Sequence, residues 1–268
     1  EPGQRRPSAA ELLSAEIEAR YALHRARVCL DGSLEVFRHP DGFVDVRAAA
    51  ESSEQRRRLL AALTDIGTSP LIRILVEQSE GRVAAGRITQ RLTVTSPEHV
   101  PADDLLRSAL ARRPDIEDEI TRISNEVISV SQGTVADAWA LRQLAALRRS
   151  ADWPLVRTQS RWLLEEMVED HALSLRTGLE RMRQLLAPVA GDWRSPAAAA
   201  DGAGWPESSI QVYAAADRMH AEVLALFAAG DGGADATVAG LAAAWSEVMA
   251  RAAGLEARAA HARPVTRP

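Results

Sequence analysis

Three groups of side chains in this sequence are of types that do chemistry. Cys29 stands ahead of His39 and Asp41, His171 follows the acidic residues Glu165, Glu166, Glu169 and Asp170, and Asp217 sits three residues before His220. A cysteine, a histidine and an aspartate are the parts of an activated nucleophile, provided the base lies within hydrogen-bond reach of the thiol and the acid orients the base. The local pattern speaks against that use here. In Ser33 to Ala48, "SLEVFRHPDGFVDVRA", Leu34/Val36 and Val44/Val46 alternate on either side of a turn. Pro40 suits the second position of a type I turn, Asp41 the third, and Gly42 the left-handed position that closes a hairpin. A strand rising about 3.3 Å per residue then separates Cys29 from His39. The expectation is a small buried cysteine and a solvent-facing turn histidine.

Histidine on a helix with carboxylates nearby raises a second chemistry, a di-metal bundle. Such a site asks for Glu-x-x-His on two helices and carboxylates from two more. Asp217-x-x-His220 has a comparable spacing but no partner copy, and helical spacing places Met167 and Leu175 on the face of His171. No metal ligand, catalytic residue or cofactor site is assigned on this pattern. A metal-dependent bundle enzyme built on His171 and His220 stands as the alternative reading.

Cations interleaved with aromatics form the third group. Arg142, Arg148, Arg149, Arg157 and Arg161 accompany Trp153 and Trp162, a combination that grips phosphate or an acidic partner. The competing reading is a helical corner whose tryptophans pack inward while its arginines pair with Glu165, Glu166 and Asp170. Trp193 and Trp205 lie in a Gly/Pro/Ala-rich stretch, where a large ring either docks back or meets a partner. Arg148, Arg149, Trp153, Arg157, Trp193 and Trp205 are therefore the candidate partner surface. "GDGG" at Gly230 to Gly233 lacks the Lys and Ser/Thr of a phosphate loop, and no Gly-x-Ser-x-Gly, His-Glu-x-x-His or Cys-x-x-Cys occurs.

The elements that would carry these residues follow from composition and periodicity. The 268 residues are 46% apolar and 26% charged with only 4% aromatic, so the core must be mostly Leu, Val, Ile and Ala, which favours helices. All the positive side chains are arginine, yet the net charge is −5, so no basic field directs the chain to nucleic acid. One cysteine excludes an internal disulfide and a cysteine-rich zinc module. No apolar run reaches the roughly 18 residues that mark a membrane span. The polar start, "EPGQRRPSA", reads as a processed product or as an excised part of something longer, in which a missing piece could hold a membrane anchor.

Along the chain, residues 1–7 read as a disordered tail. Ser8 and Glu11 make a capping box for a helix to Arg27. The two strands of the hairpin follow. Ser52 or Ser53 then caps a helix with Leu59, Leu60 and Leu63 on its inner face and Gly67 at its end, and "PLIRILVEQ" is a third strand. Arg87 to Thr95 is either a fourth strand or an extended linker. The domain boundary falls at Ser96 to Pro101, giving a unit over 8–96. Residues 97–262 read as an up-and-down bundle of about four main helices. Ile116, Ile120, Ile123, Val127 and Val130 mark a lengthwise seam, "SVSQGT" weakens its middle, 188–208 is a mobile linker, and 263–268 is a disordered tail. The fold class is α+β.

The unit from Ala22 to Gln78, with its strand pair, "SSEQRRRLLAAL" helix and β-branched strand, resembles a BON-like module, although "VRAAA" stands where such a strand usually carries glycine. The helical half, with "AWALRQLA" as its most recognisable part, looks like the extracytoplasmic region of bacterial proteins with an anti-sigma-factor type zinc-finger segment and one membrane span. The resemblance implies an αββαβ fold, a non-catalytic interaction or sensor role in the cell envelope and a protein partner there. It also implies a tether to the inner membrane through a segment outside this chain. Envelope lipid or glycan binding by the BON-like unit is a further alternative.

Overall fold

The computed structural model describes residues 5–29, 34–50, 52–64, 66–78, 100–111, 114–190, 193, 204–227 and 237–262. Its elements run α1 (Ala9–Arg25), β1 (Leu34–His39), β2 (Phe43–Ala50), α2 (Ser53–Leu63), β3 (Ile72–Gln78), α3 (Pro101–Leu110), α4 (Ile116–Arg148), α5 (Thr158–Ala190), α6 (Trp205–Phe227) and α7 (Val238–Ala262), with a 3-10 turn at Trp153–Leu155. The protein is α+β, and the order helix, strand, strand, helix, strand is the one the periodicity predicts.

Two compact units divide the chain. Unit 1 gathers Glu1–Gln90, Ala146–Val168 and Ala262–Pro268, and unit 2 gathers Arg91–Ala145 and Glu169–His261. The corner at 146–168, read from the sequence as part of the bundle, thus clusters with the sheet. Ser96 to His99 of the expected boundary, the run Arg87 to Thr95 and both expected tails' ends (1–4 and 263–268) lie outside the described residues.

In unit 1, α1 starts where Ser8 and Glu11 satisfy each other's backbone. The Glu11 N–H donates to Ser8 Oγ at 3.2 Å and the Ser8 N–H to Glu11 Oε2 at 2.7 Å. Its end is built with equal care. Arg27 adopts φ 58°, the Arg27 N–H donates to His24 O at 2.9 Å, and the Val28 N–H donates to Leu23 O at 3.0 Å. This is a Schellman ending with arginine in the left-handed position that glycine usually takes. Ser52 caps α2, its Oγ accepting from the Gln55 N–H at 3.1 Å.

The hairpin closes as its turn residues dictate. The Gly42 N–H donates to His39 O at 3.0 Å, and Gly42 has φ 92°, where a side chain would be strained. Val36 faces Val46, Leu34 faces Ala48 and Arg38 faces Val44 in an antiparallel pair. β3 then pairs in parallel with β2, Val44 opposite Ile72 and Val46 opposite Ile74, so the order is β1-β2-β3. The aliphatic residues Val36, Val44, Val46, Ile72 and Ile74 fall on one face, beneath α1 and α2. Leu23, Val44, Val46, Leu59, Leu63 and Ile72 form its core. Fully burying each large side chain contributes about 1.5–3 kcal/mol. Leu60, expected on the inner face of α2, is 39% exposed. Leu59 and Leu63, one turn apart, already span the sheet side of this short helix, and Leu60 is rotated off it.

Unit 2 is helical. Ion pairs and ring contacts give the neighbours. Arg142 lies over Tyr213 at 5.0 Å, joining α4 to α6, and the Trp245 indole N–H donates to Leu179 O at 2.9 Å, joining α7 to α5. Arg218 pairs with Glu247 at 2.7 Å between α6 and α7, and Arg107 pairs with Glu117 at 2.9 Å between α3 and α4. Contrary to the expectation of a weakened middle, α4 runs unbroken through "SVSQGT". Ser131 Oγ donates to Ile128 O at 2.8 Å and Thr134 Oγ1 to Val130 O at 2.9 Å, so each hydroxyl is satisfied by its own helix. Both are buried, and at Gly178 of α5 an added Cβ would come within 3.0 Å of Thr134 Oγ1. Small residues let α4 and α5 approach closely here. The 188–208 linker is also corrected in its described parts, since α5 continues to Ala190 and α6 begins at Trp205.

Candidate functional site

The sheet of unit 1 has a second face, and alternation fixes what it displays. Residues opposite to the core set are Glu35, Phe37 and His39 on β1, Phe43, Asp45 and Arg47 on β2, and Arg73, Leu75 and Glu77 on β3. Among the described elements of unit 1, α1 and α2 pack on the other side. The open face is therefore polar and aromatic by sequence and carries its own packing.

That packing is made of cations laid on rings. The Arg73 guanidinium sits 3.3 Å from the centroid of the Phe43 ring. Phe43 is itself stacked on His39 with centroids 4.4 Å apart and planes 11° from parallel. Arg47 lies 4.9 Å over Phe37 and pairs with Asp45 at 3.1 Å. Contacts of this kind contribute about 0.5–2 kcal/mol each, more as water is excluded. They hold both guanidinium groups in place. Between them opens a shallow cleft of about 550 Å³ lined by His39, Phe43, Asp45, Arg47, Arg73 and Leu75.

Each chemical group singled out in the sequence has local partners that were not expected from it. His39 is half-buried in the stack with Phe43, and its Nδ1 accepts from the Asp41 N–H at 3.2 Å. The expectation of a solvent-facing histidine is thus corrected, because a flat ring gains more by covering Phe43 than by pointing outward. Cys29 pairs instead with His24, Sγ to Nδ1 at 3.4 Å, because the left-handed turn at Arg27 folds the chain back on α1. It is half-buried rather than buried. A thiol and an imidazole at that spacing are two of the soft donors that a zinc ion takes. This pair has no local sign in the sequence, because the turn that makes it uses arginine in place of glycine.

In unit 2, His171 is buried and its Nδ1–H donates to Asp137 Oδ1 at 2.8 Å, while Ser174 Oγ donates to Asp137 Oδ2 at 2.7 Å. His220 contacts Ser131 Oγ at 2.8 Å through its own Nδ1. Burial pushes the His220 imidazole below its ordinary pKa, with Asp217 acting in the opposite direction. The two histidines are held by α4 residues six positions apart, about 9 Å along a helix. They do not share one ligand set through those contacts. Asp137 was not singled out by sequence reasoning. A buried aspartate in mid-helix is its only sequence signal.

The Arg/Trp group resolves into packing. Trp153 is buried, with Arg148 at 4.6 Å and Arg161 at 5.8 Å from its ring. Arg157 pairs with Glu18 of α1 at 2.6 Å, and Ser160 Oγ donates to the same carboxylate at 2.9 Å. The expected acidic partners were Glu165, Glu166 and Asp170. Tyr21 on α1 donates to Glu166 Oε1 at 3.0 Å. Arg149 is exposed on the surface of this corner. Trp193 and Trp205 are only 7% and 4% exposed. As a partner surface they are therefore corrected: Trp193 packs on Trp245 with centroids 5.4 Å apart, and Trp205 is buried at the start of α6. Large rings gain more by leaving water for the bundle than by staying exposed.

Comparison with known proteins finds no matching family model, no matching curated protein and no matching solved structure. No helix among the described residues is long and apolar enough to cross a membrane.

Proposed function

We propose that this chain is a non-catalytic interaction module that receives a protein partner on the open face of its sheet. The observation that carries the reading is the pair of guanidinium groups fixed over Phe37 and Phe43 beside an exposed Leu75. A fixed cation next to exposed apolar surface loses little side-chain entropy on binding, which is what a recognition surface requires. The resemblance of "AWALRQLA" and its surroundings to extracytoplasmic regions of anti-sigma-factor type proteins supplies the setting. It makes this the envelope-facing sensor part of a membrane-anchored bacterial regulator.

Two experiments test these statements separately. A photo-cross-linking residue placed at Leu75 in cells is expected to trap a discrete protein, and one placed at the buried Val46 is not. Cross-linking at neither position would sink the interaction reading. A reporter enzyme that works only outside the cytoplasm, fused to the full gene product, is expected to be active. An inactive reporter with intact fusion protein removes the envelope setting.

The metal-dependent reading finds support in the buried pair of His171 and Asp137. A carboxylate on Nδ1 is what orients histidine ligands in metal sites. Metal analysis of the purified chain decides it, since bound metal together with a melting temperature lowered by chelator would displace the first reading.

A further inference from the structure

We propose that the cleft on the open sheet face binds an extended peptide with an acidic, an apolar and a basic residue at alternate positions, laid along β3. This rests on the interaction reading above and names the chemistry of the partner. Arg73, Leu75 and Glu77 alternate along β3 on the same face. Each is exposed, Leu75 by 51%. Side chains two residues apart on a strand are separated by about 6.6 Å, and the same period holds in any extended peptide lying beside it. An aspartate or glutamate opposite Arg73 thus brings its second neighbour over Leu75 and its fourth over Glu77. The cleft opens on this face beside β3, so such a peptide runs over the face along the strand.

Charge decides the first position. Arg38 and Arg47 have carboxylates at 3.2 and 3.1 Å, Glu16 and Asp45 respectively. Among the described residues no carboxylate pairs with Arg73. The cleft holds Arg47 and Arg73 against Asp45 alone, a local excess of one positive charge in a chain whose net charge is −5. A guanidinium lying over a ring face still offers in-plane N–H groups, and these match a carboxylate in paired fashion. Phe43 and His39 beneath it supply the fixed floor. Leu75, bordered by this cation and by Glu77, is the apolar surface that the middle residue covers.

The test uses the whole chain and short synthetic peptides read by fluorescence polarisation. One peptide carries glutamate, leucine and arginine at alternate positions between threonines, and a second carries lysine, leucine and lysine. The first is expected to bind saturably and more weakly in high salt. Arg73→Glu is expected to weaken it about tenfold, the loss of one charge-assisted pair, and to raise the affinity of the lysine peptide. That gain is the control for folding, since an unfolded variant cannot acquire a new preference. Leu75→Asp is expected to weaken the first peptide as well. No saturable binding of the glutamate peptide, or binding unchanged by Arg73→Glu, overturns the proposal. A partner cross-linked at Leu75 without the switch in peptide preference leaves the surface standing and removes only the acidic-strand chemistry.

Discussion

The imidazole of His171 donates from Nδ1 to Asp137 Oδ1 across 2.8 Å, and both residues are only 5% exposed. The carboxylate also accepts from Ser174, so three polar groups of α4 and α5 satisfy one another inside the helical unit. A buried network of this kind is costly to open, because the remaining partners lose water and hydrogen bonds together. Asp137→Ala is expected to destabilise unit 2 by about 2–3 kcal/mol, and Asp137→Asn, which keeps an acceptor for the Nδ1–H, by about 1 kcal/mol. Urea unfolding followed by circular dichroism measures both. Equal costs for the two would show that the carboxylate's acceptor role is not what matters.

His220 gives the helical unit a response to acid. Its folded pKa lies below the ordinary value of about 6.5 because burial disfavours the charged ring. The folded state then binds fewer protons than the unfolded state as pH falls through that value. Its contribution is present above about pH 6.5 and is lost on acidification. His220→Gln should flatten the part of the stability curve between about pH 7 and 5 that the wild type loses. An identical slope in the variant would assign the acid response to other groups.

Two glycines in adjacent helices have opposite expected responses. At Gly133 of α4 an added Cβ meets nothing within 4 Å, so Gly133→Ala should stabilise by about 0.5–1 kcal/mol through helix propensity. At Gly178 of α5 the same atom would meet Thr134 Oγ1 at 3.0 Å, so Gly178→Leu should cost about 1–3 kcal/mol through overpacking. Adding Thr134→Ala to Gly178→Ala should recover what the single alanine loses. Thermal melting of these variants and of Thr134→Ala alone reads the difference, and additivity in the double variant would mean that the two residues do not touch.

Arg27 is the described non-glycine residue with a positive φ, at 58°. The left-handed conformation costs an ordinary side chain about 1–2 kcal/mol, part of which glycine returns as unfolded-state entropy. Arg27→Gly is accordingly expected to raise the stability of unit 1 by about 0.5–1 kcal/mol. Denaturant midpoints measure it, and a lower midpoint would mean that the Arg27 side chain contributes more than the turn costs.

Much of the fold was legible because its determinants are short-ranged. Ser8 with Glu11, Ser52 with Gln55, and Pro40 through Gly42 act within four residues, and alternation alone separated the two faces of the sheet. The site features that escaped detection are long-range. Arg157 meets Glu18 at a separation of 139 residues, and His171 meets Asp137 at 34. No periodicity records such meetings. Trp193 and Trp205 mislead for a related reason, since residues flanked by Gly, Pro and Ala read locally as linker while the bundle core recruits their rings. The open-face cluster was readable only in outline: alternation places Phe37, Arg47 and Arg73 on one side, but the stacking of cation on ring depends on register between strands.

Unit 1 is assembled from separated stretches of the chain, Glu1–Gln90 and Ala146–Val168 among them. Ending the chain after residue 96 would therefore excise Arg157, Ser160 and Glu166, which hold Glu18 and Tyr21 of the first helix. The sheet is not a cassette that recombination can lift out and paste elsewhere. A fragment library screened for soluble expression should yield few products that start before the first helix and end before residue 168.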